Sequence, residues 1–230
     1  MTTYAFVFAR GGSKGLPGKN VRLLDGKPLV TWAIDIARSI PEIEKVFVST
    51  DDETISRLAS ESDAIVIDRP RELATDTAPE WLAWQHAVSW VKRAVGDFDR
   101  FVSLPATAPL RTVGDVEAAI AALDDNTDAV VTMSKSQKSP WFNMVITETD
   151  GRLRTVIESG RLIARRQDAP TTFDLATVAY VAKPGFLLQA TSLWDGRVIG
   201  VEVSRRSAVD IDTIEDFRFA EFLLRDEATE

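Results

Sequence analysis

Between residues 4 and 133 of this 230-residue chain, short apolar runs alternate with stretches of helical spacing, and no other feature limits the fold so tightly. Tyr4 to Ala9 is apolar and ends in glycines, the pattern of a buried strand. Leu29 to Ser39 carries Leu29, Trp32, Ala33, Ile36 and Ala37 at the spacing of one helix face. Val46 to Ser49 reads as a second strand, Glu53 to Ser62 as a helix and Ala64 to Ile67 as a third strand. Glu80 to Val95 places Trp81, Trp84, Val88 and Val91 on one stripe; Phe101 to Leu104, Val113 to Leu123 and Ala129 to Met133 then read strand, helix, strand. Strands that alternate with helices build an α/β fold: a mostly parallel sheet with helices on both faces.

From Ser134 to Pro170 the rhythm breaks into a polar, basic segment. Met144 to Thr147 and Leu153 to Val156 flank Thr149-Asp150-Gly151, which predicts a hairpin. This reads as an insertion at about residues 134–178 of a single domain, one that covers the substrate or meets a second subunit. Trp141 and Phe142 fit an interface or hairpin core better than a sugar platform. Val178 to Ala182 and Val198 to Val203 return to strand patterning, and Asp216 to Leu224 is an amphipathic helix.

Composition removes whole classes of chemistry. The absence of cysteine excludes disulfides, thiolate metal sites and cysteine nucleophiles. A net charge of −8 argues against nucleic acid as the main partner, although a local basic loop can still hold an anion. The start shows no basic leader before an apolar run, and no apolar stretch approaches the ~20 residues that cross a bilayer. The expectation is a cytoplasmic chain without a membrane partner. His86, the sole histidine, stands mid-helix beside the tryptophan stripe, where a structural or surface role outweighs catalysis.

The run Arg10-Gly11-Gly12-Ser13-Lys14-Gly15-Leu16-Pro17-Gly18-Lys19-Asn20 follows the first strand directly. Glycines let backbone N–H groups approach an anion, and three cations supply charge opposite a polyphosphate. P-loop spacing is absent because asparagine follows Gly18-Lys19, and a dinucleotide fingerprint fails at Pro17. Two readings remain at this stage, a phosphate cradle and a flexible charged surface loop.

Four further segments accompany that loop in order. They are Ser49-Thr50-Asp51, Arg69-Pro70-Arg71-Glu72-Leu73-Ala74-Thr75-Asp76-Thr77-Ala78, Thr107-Ala108-Pro109-Leu110-Arg111, and Asp210-Ile211-Asp212-Thr213. Together the five resemble the signatures of the acylneuraminate cytidylyltransferases, the CMP-sialic acid synthetases. That resemblance implies a Rossmann-like nucleotidyltransferase fold and the transfer of CMP from CTP to a 2-keto sugar acid, with release of pyrophosphate. It implies that Arg10, Gly11, Gly12, Ser13, Lys14, Lys19, Asn20, Arg69 and Asp76 bind CTP. Thr107, Arg111, Arg166 and Gln167 would face the acceptor, and Asp210 and Asp212 would bind Mg²⁺. Arg10, Lys19 and Asp212 would carry catalysis, in a homodimer.

The residues themselves leave alternatives open. On an extended strand Asp210 and Asp212 would share one face and could share a cation, but Asp212 with Glu215 also has the spacing of a helix cap. Arg161, Arg165 and Arg166 form either a solvated run or a clamp for a carboxylate. Pro105 stands where the family often has glutamine, and Asp174-Leu175-Ala176-Thr177 replaces its late Arg-Pro-Asn-Gly. The nucleotide half therefore resembles the family more closely than the acceptor half. Another acceptor, such as an octulosonic acid or a phosphonate, and an inactive nucleotide-binding homologue are the competing expectations.

Overall fold

A computed structural model describes residues 1–158, 163 and 165–227, apart from the side chains of Arg166 and Glu227. Its first half runs β1 (Thr3–Phe8), β2 (Leu23–Leu24), β3 (Lys27–Pro28), α1 (Leu29–Ser39), β4 (Ile43–Thr50), α2 (Glu53–Glu61), β5 (Ile65–Asp68), α3 (Glu80–Ala94), β6 (Arg100–Ser103), α4 (Val113–Ala121) and β7 (Ala129–Lys135). Then follow β8 (Val145–Thr147), β9 (Leu153–Thr155), β10 (Phe173–Ala182), α5 (Pro184–Gln189), β11 (Val198–Glu202) and α6 (Ile214–Glu227). Seven strands share one sheet in the order β11-β7-β10-β6-β1-β4-β5. Every pairing in it is parallel except those of β10, which runs antiparallel to β6 and β7. This is the mostly parallel α/β sheet that the alternation predicts.

The period of two along β1 decides what each face holds. Tyr4 and Phe6 point into an aromatic layer, where the Phe6 ring lies 4.6 Å from Phe101 and 5.2 Å from Phe47. The tryptophan stripe of α3 closes that layer: Trp84 is buried 5.4 Å from the Phe101 ring, with Val88 and Val91 beside it. Ala5 and Val7 face the other side, against Val30 and Ile34 of α1, Ile55 of α2 and Val116 of α4. Each fully buried large side chain contributes about 1.5–3 kcal/mol.

The inserted region holds the expected hairpin, β8 against β9, with Gly151 in the left-handed region at its turn. Its far boundary lies earlier than 178, because β10 begins at Phe173. Phe173, Asp174 and Leu175 pair with Lys135, Ser134 and Met133 before the register shifts between Ala176 and Tyr180. The Thr132 hydroxyl fills this irregularity, donating to Ala176 O and Ala179 O (2.7 and 3.0 Å) and accepting from Ala179 N (3.0 Å).

The strand order also positions the site. From β1 the chain moves outward to β4 and β5, then crosses back to β6 on the other side of β1. Such a reversal opens a crevice outside the carboxyl ends of the strands. The loop after β1 and the loop after β6 both empty into it.

Candidate active site

The loop that follows β1 is anchored at three points. Asn20, buried, donates from Nδ2 to the carbonyl of Arg10 at 3.0 Å and so ties the loop's two ends together. Leu16 is buried with Leu24, Leu29, Ile211 and Phe217. Gly18 adopts φ 66°, a conformation that favours glycine, and starts the 3-10 turn Lys19–Val21. These anchors make the loop a held element and not a flexible surface loop.

The loop borders a cleft of about 630 Å³ that also receives Arg69, Asp76, Thr107 and Asp212. Its cations are held by carboxylates. Arg10 Nη2 and Lys14 Nζ each lie 2.6 Å from an oxygen of Asp76. Lys14 first, then Arg10, keeps the Asp76 carboxyl below the usual carboxylate range. Lys19 Nζ donates to Ile211 O at 2.7 Å and to Asp212 Oδ1 at 2.9 Å, with the lysine side chain 12% and the aspartate side chain 71% exposed. The backbone N–H of Gly11 donates to Asp51 Oδ1 at 3.1 Å, so the Ser49-Thr50-Asp51 segment supports the loop from behind. Gly12 has open space around it, and Ser13 lines the cleft.

Arg69 is buried against the sheet end. It donates from Nε to Ser49 Oγ (3.1 Å) and from Nη2 to Ser49 O (2.7 Å), with its guanidinium 5.5 Å from the centre of the Phe8 ring. Burial lowers its pKa to about 10, opposed by Asp51, so it stays charged at neutral pH.

The two aspartates of the late motif part company. β11 ends at Glu202, and Asp210 to Asp212 lie in irregular backbone, so the expected shared strand face does not form. The segment is instead bound crosswise by Ile211 N donating to Thr107 O at 2.8 Å, with Ile211 fully buried. Asp212 opens onto the cleft. Asp210 turns inward, with Oδ1 buried and lacking a hydrogen-bond partner among the described residues. The helix-cap alternative for Asp212 and Glu215 is not used: Thr213 and Asp216 cap α6 reciprocally, by Asp216 N to Thr213 Oγ1 (3.2 Å) and Thr213 N to Asp216 Oδ2 (2.8 Å).

The residues expected to face the acceptor are not brought together. Thr107 borders the cleft. Arg111 does not: it is buried beneath, donating from Nη2 to Pro105 O and, at 3.5 Å, to Thr177 O. Burial lowers its pKa to about 9, opposed mainly by Asp210. Gln167 lines a separate cavity of about 530 Å³ with Lys135, Lys138, Ser139 and Arg205. Arg165 pairs with Asp168 at 2.9 Å, as a solvated charge does. Arg161 and the side chain of Arg166 lie outside the described residues. His86 sits half-buried on α3, away from the cleft lining, and burial lowers its pKa. Sequence reasoning missed Phe8, Glu80 and Ala83, which also line the cleft, and gave Leu73 no role of its own within the Arg69–Ala78 segment. The available signal was position, since Phe8 ends the first strand and Glu80 opens the helix after the Arg69–Ala78 segment.

The cytidylyltransferase family model matches residues 4–151. Post-translational flagellin modification protein B of Campylobacter coli is 30% identical over 224 residues, covering 96% of this chain and 94% of that protein. CMP-N,N'-diacetyllegionaminic acid synthase of Campylobacter jejuni subsp. jejuni serotype O:2 is 28% identical, covering 95% and 93%. N-acylneuraminate cytidylyltransferase of Streptococcus agalactiae serotype V is 28% identical over 94% of this chain, which spans 52% of its length. Among solved structures, a CMP:2-keto-3-deoxy-manno-octonic acid synthetase complexed with CTP superposes with a TM-score of 0.73 at 16% identity, over 99% of this chain and 100% of that one, a likeness of fold. The sheet, the anchored loop after β1 and these matches along most of the sequence lead to one conclusion: this chain belongs to the cytidylyltransferase family, on the branch resembling the CMP-sialic acid synthetases.

Proposed function

We propose that the chain transfers CMP from CTP to a nonulosonic acid, a sialic-acid-like 2-keto sugar acid, and releases pyrophosphate. The observation that carries this reading is the convergence of Arg10, Lys14 and Lys19, from one anchored loop, on one cleft where Asp76 and Asp212 are their ion-pair partners among the described residues. A triphosphate entering there replaces carboxylate partners with phosphate oxygens, so the cations need little reorganisation. They would neutralise charge on the leaving pyrophosphate while an acceptor hydroxyl, aligned near Thr107 and Asp212, attacks the α-phosphate. The acceptor class rests on the relatives named for acylneuraminate and diacetyllegionaminic acid.

A divalent cation such as Mg²⁺ is proposed at the cleft side of the late motif. Asp210 has an unpartnered buried carboxylate oxygen and Asp212 an open one, and among the described residues no third acidic or histidine ligand joins them. Few carboxylates plus water and phosphate oxygens are what Mg²⁺ accepts. Asp212 would hold the ion from the cleft, and Asp210, which turns inward, would join it only after its side chain swings round; the ion when bound would add positive charge beside the phosphates. The intact Lys19–Asp212 pair speaks against the inactive-homologue reading.

Pyrophosphate release from CTP, measured with a panel of 2-keto acids, tests the reaction and its acceptor together. Turnover with a nonulosonic acid at least tenfold above that with an octulosonic acid or a phosphonate is expected. Preference for either of the latter would reassign the acceptor, and tight CTP binding without turnover on any acid would favour the inactive homologue.

We also propose a homodimer through the hairpin. Phe142, Val145, Leu153 and Ile157 there, with Phe173 and Leu175 at the start of β10, are exposed large apolar side chains. A two-stranded hairpin is marginal alone, and a monomer seldom exposes such a patch. A second copy of the same hairpin is the occupant that matches it in chemistry and extent. Leu153→Glu with Leu175→Glu should convert a dimeric mass to a monomeric one in sedimentation or light scattering. An unaltered chain that is already monomeric at working concentration would exclude this arrangement. No helix among the described residues is long and apolar enough to cross a membrane.

A further inference from the structure

Two of the three acids on the cleft are spoken for, and the third is not. Asp76 and Asp212 have cations at 2.6 and 2.9 Å. Glu80 has no ion pair among the described residues; its Oε1 accepts one bond, from Trp84 Nε1 at 3.3 Å. Around it the cleft changes character. Phe8, Leu73, Ala78 and Ala83 line the wall, and the Phe8 ring lies 6.3 Å from Trp84 and 5.5 Å from the Arg69 guanidinium. An apolar wall with one cation and one acid beside it suits a heterocyclic base, whereas the loop cations suit the phosphates.

The chemistry of the edge then separates two pyrimidines. Both offer a ring carbonyl between their nitrogens, which a guanidinium such as that of Arg69 can meet. They differ along one edge: at the exocyclic position cytosine presents an amino donor and uracil a carbonyl acceptor, and at the neighbouring ring nitrogen cytosine accepts where uracil donates. An ionised carboxylate accepts and never donates. Glu80 is exposed toward the cleft although protein crowds its other sides; this crowding raises its pKa, and the Trp84 bond and Arg69 oppose the rise. Water in the open cleft softens that desolvation until a base displaces it.

We propose that Glu80 is the base-reading residue of this site: its carboxylate accepts a hydrogen bond from the exocyclic amino group of cytosine and rejects a pyrimidine with a carbonyl there. The inference rests on the CTP reading and adds the group that enforces it. A glutamate in a first helical turn also favours the helix dipole, but any acid serves that purpose and it leaves base preference untouched.

The test compares CTP and UTP binding by calorimetry, which needs no acceptor, in the unaltered chain, Glu80→Gln and Glu80→Ala. The unaltered chain should favour CTP. Glu80→Gln should lower the CTP-to-UTP affinity ratio about tenfold or more, because its amide can also donate to the uracil carbonyl. Glu80→Ala should lose CTP affinity without matching that gain for UTP. An unchanged ratio in Glu80→Gln, even with a shifted melting temperature, overturns the proposal. An unaltered chain that binds both nucleotides equally also overturns it. One that binds neither overturns the CTP reading beneath it.

Discussion

Lys19→Ala is expected to lower kcat/KM for CTP by about 100- to 1000-fold, the cost of removing one preorganised donor from a developing charge. The magnitude follows from how completely the ammonium is fixed. Its side chain is 12% exposed and donates to a backbone carbonyl and a carboxylate of the late motif, some 190 residues away. The substitution also leaves Asp212 without its cation beside entering phosphate oxygens, so repulsion adds to the lost donor. Lys19→Arg should recover only part of the activity, because a planar fork does not reproduce a compact ammonium between these two acceptors. Pairing Lys19→Ala with Asp212→Ala should lose less than the product of the single effects, since each group acts through the other. Steady-state pyrophosphate release measures all four variants, with thermal melting as the control for folding. Activity of Lys19→Ala within threefold of the unaltered chain would remove Lys19 from the machinery.

What could be read from the sequence divides along a physical line. Features carried by a few neighbouring residues were visible. The strand of Tyr4 to Ala9, the helix of Leu29 to Ser39 and the hairpin turn at Gly151 agree with the structure to within a residue or two, as periodicity and turn chemistry are local. Arg10, Lys14 and Lys19, close together in the sequence, also line one cleft in the structure. Features set by distant packing were not visible. The first half of β10 was read as insertion because its partners are Lys135 to Met133 and its register breaks at a bulge. α5 spans only six residues and begins at Pro184, too short for a 3.6-residue period to declare itself. Arg111 has the motif of a site residue, yet the chain folds it beneath the cleft, where Pro105 O and Thr177 O satisfy one nitrogen. Asp210 and Asp212 have the spacing of a strand face, but the bond from Ile211 N to Thr107 O bends the segment so that one points inward and the other out.

Gly15→Ala should disable the site with little loss of stability, and it isolates what the loop contributes beyond charge. A Cβ at Gly15 would lie 2.5 Å from the carbonyl oxygen of Asp212, and backbone cannot yield as a flexible side chain does. The glycine is therefore required by the close approach of two segments, the loop after β1 and the late motif, and not by an unusual φ. Adding one methyl must push these segments apart by roughly an ångström at the point where Lys19 joins Asp212. Misplacement on that scale costs about 100-fold in rate when catalysis depends on orientation. Gly15 is solvent-exposed and outside the buried core, so the melting temperature should move by no more than a few degrees. Gly12→Ala is the matched control, because nothing lies within 4 Å of its would-be Cβ, and it should retain more of the activity than Gly15→Ala. The reverse order, with Gly12→Ala the more damaging, would mean that backbone approach to the phosphates outweighs the seam between the two segments.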